Sequence, residues 1–454
     1  MALVSMNPAT GELIKEFRSW SEGETYETVE KVYKAGHSWR QTSFTERIRL
    51  ALAMAAVLRR QKEDLASMIT LEMGKPISEA RAEVEKCALL CDYYAEHAKA
   101  FLSNEDIESG AGKSYVRFDP LGTILAVMPW NFPLWQVFRF SIPALMAGNT
   151  VLLKHASNTT WCALSIEGLF ASAGFPENIF RSLMIGSGDV AGVIRDRRIA
   201  GVTLTGSSKA GQAVAQTAGA SLKKTVLELG GSDPFIVLPD ADIGQAVEAA
   251  VTSRMINAGQ SCVAAKRFIV EKTVMDKFLE GFKSKMEALV IGDPIYDSTQ
   301  VGPMARMDLR DSLHQQVQKS IELGAKALTG GGPIDGPGAF YQPTILVDVK
   351  PGMPAYDEEM FGPVASVIVA GNTDEAIETA NDTDYGLGAS IWTADSELAE
   401  ALAARIEAGA VFINGFVKSD PRLPFGGIKD SGYGRELSIY GIREFVNIKT
   451  VWMR

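Results

Sequence analysis

Hydrophobic positions along this chain follow two rhythms. Over residues 44–73 apolar side chains recur at three- and four-residue spacing (Ile48, Leu52, Ala55, Leu58, Leu65, Ile69) with no Gly or Pro between them. That spacing predicts one long amphipathic helix, capped by Thr45 and stopped by Gly74. Residues 77–102 predict a second long helix, and the helical pattern begins at Thr25. Residues 7–12 (NPATGE) read as a turn between short strands. Residues 115–127 predict a hairpin: YVRF, the turn Asp119-Pro120-Leu121-Gly122, then TILAV. A hairpin projecting from the body needs covering, which a partner subunit can supply.

After Pro143 short apolar strands alternate with helices. Strands are expected at 150–153, 179–184, 201–204 and 226–229, and helices at 161–173, 187–195 and 208–218. This βαβα rhythm implies a mostly parallel sheet with helices on both faces. A second α/β set follows, with helices at 242–258, 274–289, 307–323, 373–381 and 396–406 and strands at 267–270 and 365–369. Residues 330–338 are Gly-rich and read as a surface loop. Residues 445–452 alternate like a strand that can pair with the projecting hairpin.

Composition narrows the class. A chain of 454 residues, 46% hydrophobic and 22% charged, suggests two or three globular domains. A net charge of −10 argues against broad nucleic-acid or membrane-surface binding. No run approaches the ~18 apolar residues of a membrane span, and the first residues lack a secretory pattern. The four cysteines and four histidines show no metal spacing, and few cysteines fit the reducing cytoplasm.

The chemistry gathers around Cys262, at the end of VTSRMINAGQSCVA. Alone, such a cysteine is more often inert core. Three other stretches change that. PWNFP (129–133) holds the Asn131 amide between two prolines, where it is either a rigid donor to an oxyanion or simply satisfies its own turn. TGSSKAG (205–211) follows an apolar strand and opens a helix, whose N-terminus can receive phosphate or merely be capped. LELGG (227–231) carries Glu228 between leucines at a strand end, a base with a raised pKa or a member of a structural ion pair. Lys154, after the strand TVLL, stands where open α/β sheets bind cofactors, or is simply solvated. His155 beside it reads as structural.

With these residues in view, the sequence resembles the NAD(P)-dependent aldehyde dehydrogenase superfamily over essentially its whole length. PWNFP, TGSSKAG, LELGG, GQSC, EEMFGP (358–363) and PFGGIKDSGYGRE (424–436) occur in that family's order and spacing. The resemblance implies an α/β fold with two Rossmann-related domains and a small β oligomerisation element. Residues 1–114 and 134–229 would form the cofactor-binding domain and 230–420 the catalytic domain. Residues 115–133 and 421–454 would form the oligomerisation hairpin, C-terminal loop and strand of a homodimer or homotetramer.

The resemblance also implies roles. Cys262 is the expected nucleophile, Glu228 the base and Asn131 the oxyanion donor beside the Cys262 backbone N–H. Lys154 and Ser157 are expected at the adenosine ribose, Ser207 at the pyrophosphate, Glu359 at the nicotinamide ribose and Phe361 beside the nicotinamide. Trp130, Gly206 and Gly230 complete the expected cofactor site. The thiolate attacks the aldehyde, hydride leaves to the nicotinamide, and Glu228 activates water to hydrolyse the thioester. No metal is expected.

Two positions refine the expectation. At position 157 the family often has Glu, which repels a 2′-phosphate; Ser157 with Lys154 implies NADP as the preferred cofactor and NAD as the slower one. Arg139, eight residues after Asn131, resembles the arginine that succinate-semialdehyde dehydrogenases use for the substrate's far carboxylate, and Ser419 resembles their serine. An internal carboxylate partner for Arg139 is the alternative reading. Ile256 departs from members with a second arginine six residues before the nucleophile, which admits other short aldehydes. Ala264 excludes the disulfide switch that some members carry two residues after the nucleophile. Trp130, Phe132 and Trp135 wall an aromatic tunnel or pack as core. The expected reaction is succinate semialdehyde to succinate, with other short aliphatic or carboxylated aldehydes as the alternative. A cofactor-free thiol hydrolase and a non-catalytic homologue are the remaining rivals.

Overall fold

The computed structural model describes residues 3–454. It is an α/β fold built on two mostly parallel sheets. The first runs Gly432–Tyr433, Lys224–Glu228, Ile199–Thr205, Thr123–Met128, Thr150–His155, Phe180–Ser182, with only the Gly432–Tyr433 edge antiparallel. The second runs Lys326–Thr329, Thr344–Val347, Val364–Ala370, Arg267–Glu271, Pro234–Val237, Gly388–Trp392, Ala410–Ile413, with only Lys326–Thr329 antiparallel. Thr150–His155 and Pro234–Val237 are buried along their whole length, as expected of parallel strands with both faces covered. The largest hydrophobic core packs the helices of the first half onto the first sheet, while the second sheet has a core on each face.

Two expectations need correcting, and one helix was not foreseen. Residues 115–127 do not form a hairpin. Strand Lys113–Pro120 pairs with Val446–Met453 and Glu105–Asp106, whereas Thr123–Met128 lies in the middle of the six-stranded sheet. The reason is in TILAVM, which is apolar on both faces and almost wholly buried. A projecting ribbon cannot bury two faces; a central parallel strand can. Of residues 115–133, therefore, only those up to Pro120 join the ribbon with the C-terminal strand.

The helix expected over 44–73 is two, Phe44–Arg60 and Lys62–Met73, joined at Gln61 (φ −101, ψ 14). Ser43, not Thr45, is the cap, its side chain accepting from Glu46 N. Gly74 does stop the second helix at φ 79, and a β-carbon there would meet Pro303 at 2.7 Å.

A helix lies where none was expected. Trp135–Met146 is buried at all of its residues, Gln136 and Arg139 included, and it carries Pro143 inside it, a residue that ordinarily ends a helix. Its start is fixed from outside: the carboxylate of Glu83, on helix Ile77–Phe101, accepts from Leu134 N and Trp135 N, both at 2.9 Å. The same carboxylate pairs with buried Lys75, whose ammonium stands 3.7 Å from the centre of the Phe132 ring. A buried ion pair thus receives the helix's free N–H groups, which burial would otherwise leave costly.

Candidate active site

The two sheets are joined by residues 229–233 (LGGSD), and this connector passes against the segment that carries Cys262. A β-carbon on Gly231 would stand 2.9 Å from the Cys262 carbonyl oxygen, and one on Gly230 would stand 2.5 Å from a Glu359 oxygen. The two glycines of LELGG are therefore required by close approach. On the other side, helix Ile243–Met255 ends in a reversal in which Asn257 (φ 55), Ala258 (φ 52) and Gly259 (φ 76) are all left-handed. Left-handed backbone costs an L-residue about 1–2 kcal/mol. It is held here by Asn257 Nδ2 donating to Asn131 O (2.7 Å) and Gln260 O (3.2 Å), and by Arg254 donating to Gly259 O (2.5 Å). The strained turn delivers Cys262 to the seam between the sheets.

Cys262 lines two cavities. One, of about 740 Å³, is bounded by Trp130, Asn131, Thr205, Gly206, Ser207, Gly230, Glu359 and Phe361. Ser207 caps helix Ser208–Ala220 there, and Trp130 meets Phe361 edge-to-face at 5.8 Å. The other, of about 520 Å³, is bounded by Lys86, Phe132, Trp135, Gln136, Arg139, Ile256, Ser419 and Phe425. Phe132 and Trp135 are therefore at once cavity wall and core packing.

Burial pushes the Cys262 thiol up to about 11, against the pull of Lys266 and then Arg139, with Glu359 and Glu228 adding to the rise. The resting sulfur is protonated at neutral pH. Lys266 donates to the carbonyls of Ser261 (2.9 Å) and Cys262 (2.6 Å) and pairs with Glu359 at 3.2 Å. It therefore fixes the Cys262 backbone and the Glu359 carboxylate together. Asn131 Nδ2 donates to Gln260 O at 3.1 Å, which occupies one of its two amide hydrogens.

Glu228 is buried, and among the described residues neither of its oxygens has a hydrogen-bond partner. Burial raises its pKa well above the carboxylate range; Arg139 opposes this, Glu436 reinforces it and Arg435 opposes it. Its carboxylate lies beside Gly426, where a β-carbon would be 2.7 Å from Oε1, and it lines neither cavity. It reaches Cys262 electrostatically but not by contact.

Lys154 and Ser157 lie outside the 740 Å³ lining, though on the same sheet edge: Lys154 pairs in register with Val127, which pairs with Leu204, two residues before Gly206. Lys154 is buried enough to lower its pKa, and among the described residues it has no acceptor. Ser157 is exposed and opens a single turn, Ser157–Thr159. His155 is structural, as the sequence suggested. Burial holds it down to about 4. Its Nε2 donates to Pro133 O (2.9 Å), while Nδ1 accepts from Ala156 N (2.8 Å) and the Thr159 hydroxyl (2.9 Å). It ties PWNFP to the strand.

The comparisons with known proteins agree with this geometry. The model of the aldehyde dehydrogenase family matches residues 2–451. A probable succinate-semialdehyde dehydrogenase [NADP(+)] of Synechocystis sp. is 50% identical over 453 residues, covering 100% of both chains. Succinate-semialdehyde dehydrogenase [NADP(+)] 1 of Mycobacterium bovis is 51% identical over 456 residues, again covering 100% of both. Among solved structures, the succinic semialdehyde dehydrogenase of Streptococcus pyogenes in complex with NADP+ superposes with a TM-score of 0.98 at 40% identity over 100% of each chain. The chain belongs to the aldehyde dehydrogenase family.

For an aldehyde dehydrogenase the 520 Å³ cavity is the one whose side chains the sequence showed least well. Arg139 lines it, yet its Nε pairs with Glu436, its guanidinium stacks 4.5 Å from the centre of the Phe425 ring, and Nη2 donates to the Thr205 hydroxyl at 3.5 Å. The internal carboxylate weighed as the alternative is present, and Arg139 serves that pair as well as the cavity. Ser419 is there too, accepting from Lys86 at 2.7 Å. Lys86 was not singled out from sequence. The available signal was that Glu79, Glu83 and Lys86 share one stripe of a helix whose neighbouring stripe is core. Among the described residues no cluster of His, Cys, Asp or Glu could hold a metal, and no helix is long and apolar enough to cross a membrane.

Proposed function

We propose that this aldehyde dehydrogenase oxidises succinate semialdehyde to succinate, with NADP favoured over NAD. The observation that carries the reading is Cys262 standing between two largely apolar cavities that differ in their polar groups. One places Glu359, Ser207 and the N-terminus of helix Ser208–Ala220 beside Trp130 and Phe361, as a dinucleotide requires. The other places Lys86, Arg139 and Ser419 among its aromatic rings, as a short carboxylated chain requires. The relatives in Synechocystis sp. and Mycobacterium bovis, both named succinate-semialdehyde dehydrogenase [NADP(+)], support the substrate and the cofactor.

Cofactor fit rests on Lys154, a buried residue whose ammonium has no acceptor among the described residues, and on a serine rather than an acid at 157. NADP in the 740 Å³ cleft would supply the acceptor for the hydride that aldehyde oxidation releases. Gly206 and Ser207 would hold its phosphates, Glu359 its ribose, and Trp130, Gly230 and Phe361 its ring end.

Cys262 gives its proton to solvent water as its sulfur attacks the aldehyde carbon. The oxyanion that forms accepts from Asn131 Nδ2 and the Cys262 N–H. Glu228 must leave its place beside Gly426 and release its own proton to solvent; the carboxylate then takes a proton from the water that attacks the thioester carbon and expels the Cys262 thiolate, which is reprotonated from solvent. Arg139 and Ser419 direct the substrate's far end. Ile256 in the wall leaves room for short uncharged aldehydes as slower substrates.

The same reading places the enzyme in the cytoplasm, consistent with its free cysteines. With Thr123–Met128 returned to the first sheet, it assigns cofactor binding to residues up to 112 and to 121–229, and catalysis to 230–420. It pairs the ribbon of Lys113–Pro120 and Val446–Met453 with a second copy. That ribbon has a free edge and exposes Ile448 and Trp452, a surface that invites a partner strand. Initial rates with succinate semialdehyde and with uncharged aldehydes, each with both cofactors, test the proposal. A kcat/KM that favours NAD, or no preference for the carboxylated substrate, would overturn the corresponding half.

A further inference from the structure

Three cations line the cavity on the aldehyde side of Cys262, and they are not equivalent. Arg139 has its charge met by Glu436. Lys418 is exposed. Lys86 is half-buried, on helix Ile77–Phe101, with its ammonium 4.2 Å from the centre of the Trp135 ring. Its Nζ donates to the Ser419 hydroxyl at 2.7 Å, and among the described residues no carboxylate lies within ion-pair distance of it. A partly desolvated ammonium that faces a cavity without a counter-ion is costly in the empty site and is relieved by an anion entering it. The aromatic face beneath it lowers that cost only in part.

We propose that Lys86 is a specificity-determining residue of the aldehyde pocket: its ammonium, presented together with the Ser419 hydroxyl, binds the far carboxylate of the ω-carboxylated aldehyde. The inference rests on the carboxylated-substrate reading above and goes beyond it by naming the group that supplies the net charge. Arg139, already neutralised by Glu436, then acts mainly by orienting. Ile256 contributes no charge to this wall, so the positive charge of the pocket comes from a different helix, across the cavity from the nucleophile loop. Burial, with Arg139 next, lowers the Lys86 pKa to about 8, while Cys87, Glu83 and Asp420 act in the opposite sense. The ammonium is therefore still mostly charged at neutral pH.

The test is the ratio of kcat/KM for succinate semialdehyde to that for butanal, its four-carbon uncharged counterpart. It is measured with NADP for the wild type, K86M, K86Q and K86R. A ratio taken within one preparation does not depend on the fraction folded. The ratio should fall roughly 10- to 100-fold in K86M and K86Q, the range of one charge-assisted hydrogen bond, mainly through KM for succinate semialdehyde. K86R should recover most of it. A high wild-type ratio that K86M and K86Q leave intact overturns this inference alone. A wild-type ratio near one overturns the carboxylated-substrate reading and this inference with it.

Discussion

The two cavities that share Cys262 are made of different material. The proposed cofactor cleft is assembled from strand ends and a helix start of the first sheet, from the connector after Glu228 and from the EEMFGP segment, with Gly206 and Gly230 set among Trp130, Ser207, Glu359 and Phe361. The proposed aldehyde pocket draws Lys86 and Arg139 from two helices, Ile256 from the turn before Cys262 and Ser419 from the segment before PFGG. Where backbone closes in on the connector, as at Gly231, an added β-carbon has no room. A side-chain-built site can be retuned residue by residue, and that is where differences in substrate should reside.

Substitutions can break or sharpen that contrast. The greatest loss should come at the shared atom: Cys262→Ala should abolish oxidation of every aldehyde with either cofactor, followed at 340 nm. Residual turnover would detach the thiol from the chemistry. Next, Glu228→Gln should slow steady-state turnover by roughly 10²–10⁴-fold, the usual worth of a general base, while single-turnover NADPH formation persists. Equal loss in both phases would place Glu228 before thioester hydrolysis. Asn131→Ala should cost about 10²–10³-fold in kcat, the scale of one oxyanion donor, for charged and uncharged aldehydes alike. A loss confined to succinate semialdehyde would move Asn131 from catalysis to substrate choice.

Smaller effects separate the cavities further. Ser157→Glu should lower kcat/KM for NADP by roughly 10- to 100-fold without changing the order of aldehydes. A changed aldehyde order would show that the two sites are not independent. Last, alkylation of Cys262 by iodoacetamide in the cofactor-free enzyme should rise with pH. Burial raises the thiol to about 11, so the thiolate fraction grows about tenfold per unit from pH 7 to 10. A plateau below pH 8 would contradict a protonated resting sulfur.

The motifs that were legible are those in which a short stretch carries its own geometry. PWNFP, TGSSKAG, LELGG and GQSC each set a local backbone course, so Asn131, Ser207, Glu228, Gly230 and Cys262 could be singled out before any contact was known. Strands after Pro143 were legible because apolar runs and turn residues alternate. The helix Trp135–Met146 was not, because Pro143 stands inside it, and a proline ordinarily marks a helix end. The hairpin over 115–127 was misread because YVRF and TILAV are adjacent in sequence and look alike. Only their partners show that one joins an antiparallel ribbon and the other a parallel sheet.

By itself, then, the sequence determined the α/β class and the family resemblance, from the order and spacing of elements and motifs along the chain, and it singled out Cys262 and the cleft motifs, each carried by a few adjacent residues. Tertiary structure alone decided that Arg139 is already paired with Glu436, that Glu228 rests outside both cavities, and that Lys86 meets Ser419, 333 residues away in sequence. Whether a charge is spent on an internal partner or held ready for a ligand depends on which groups the fold brings within a few ångströms, and no local pattern encodes that.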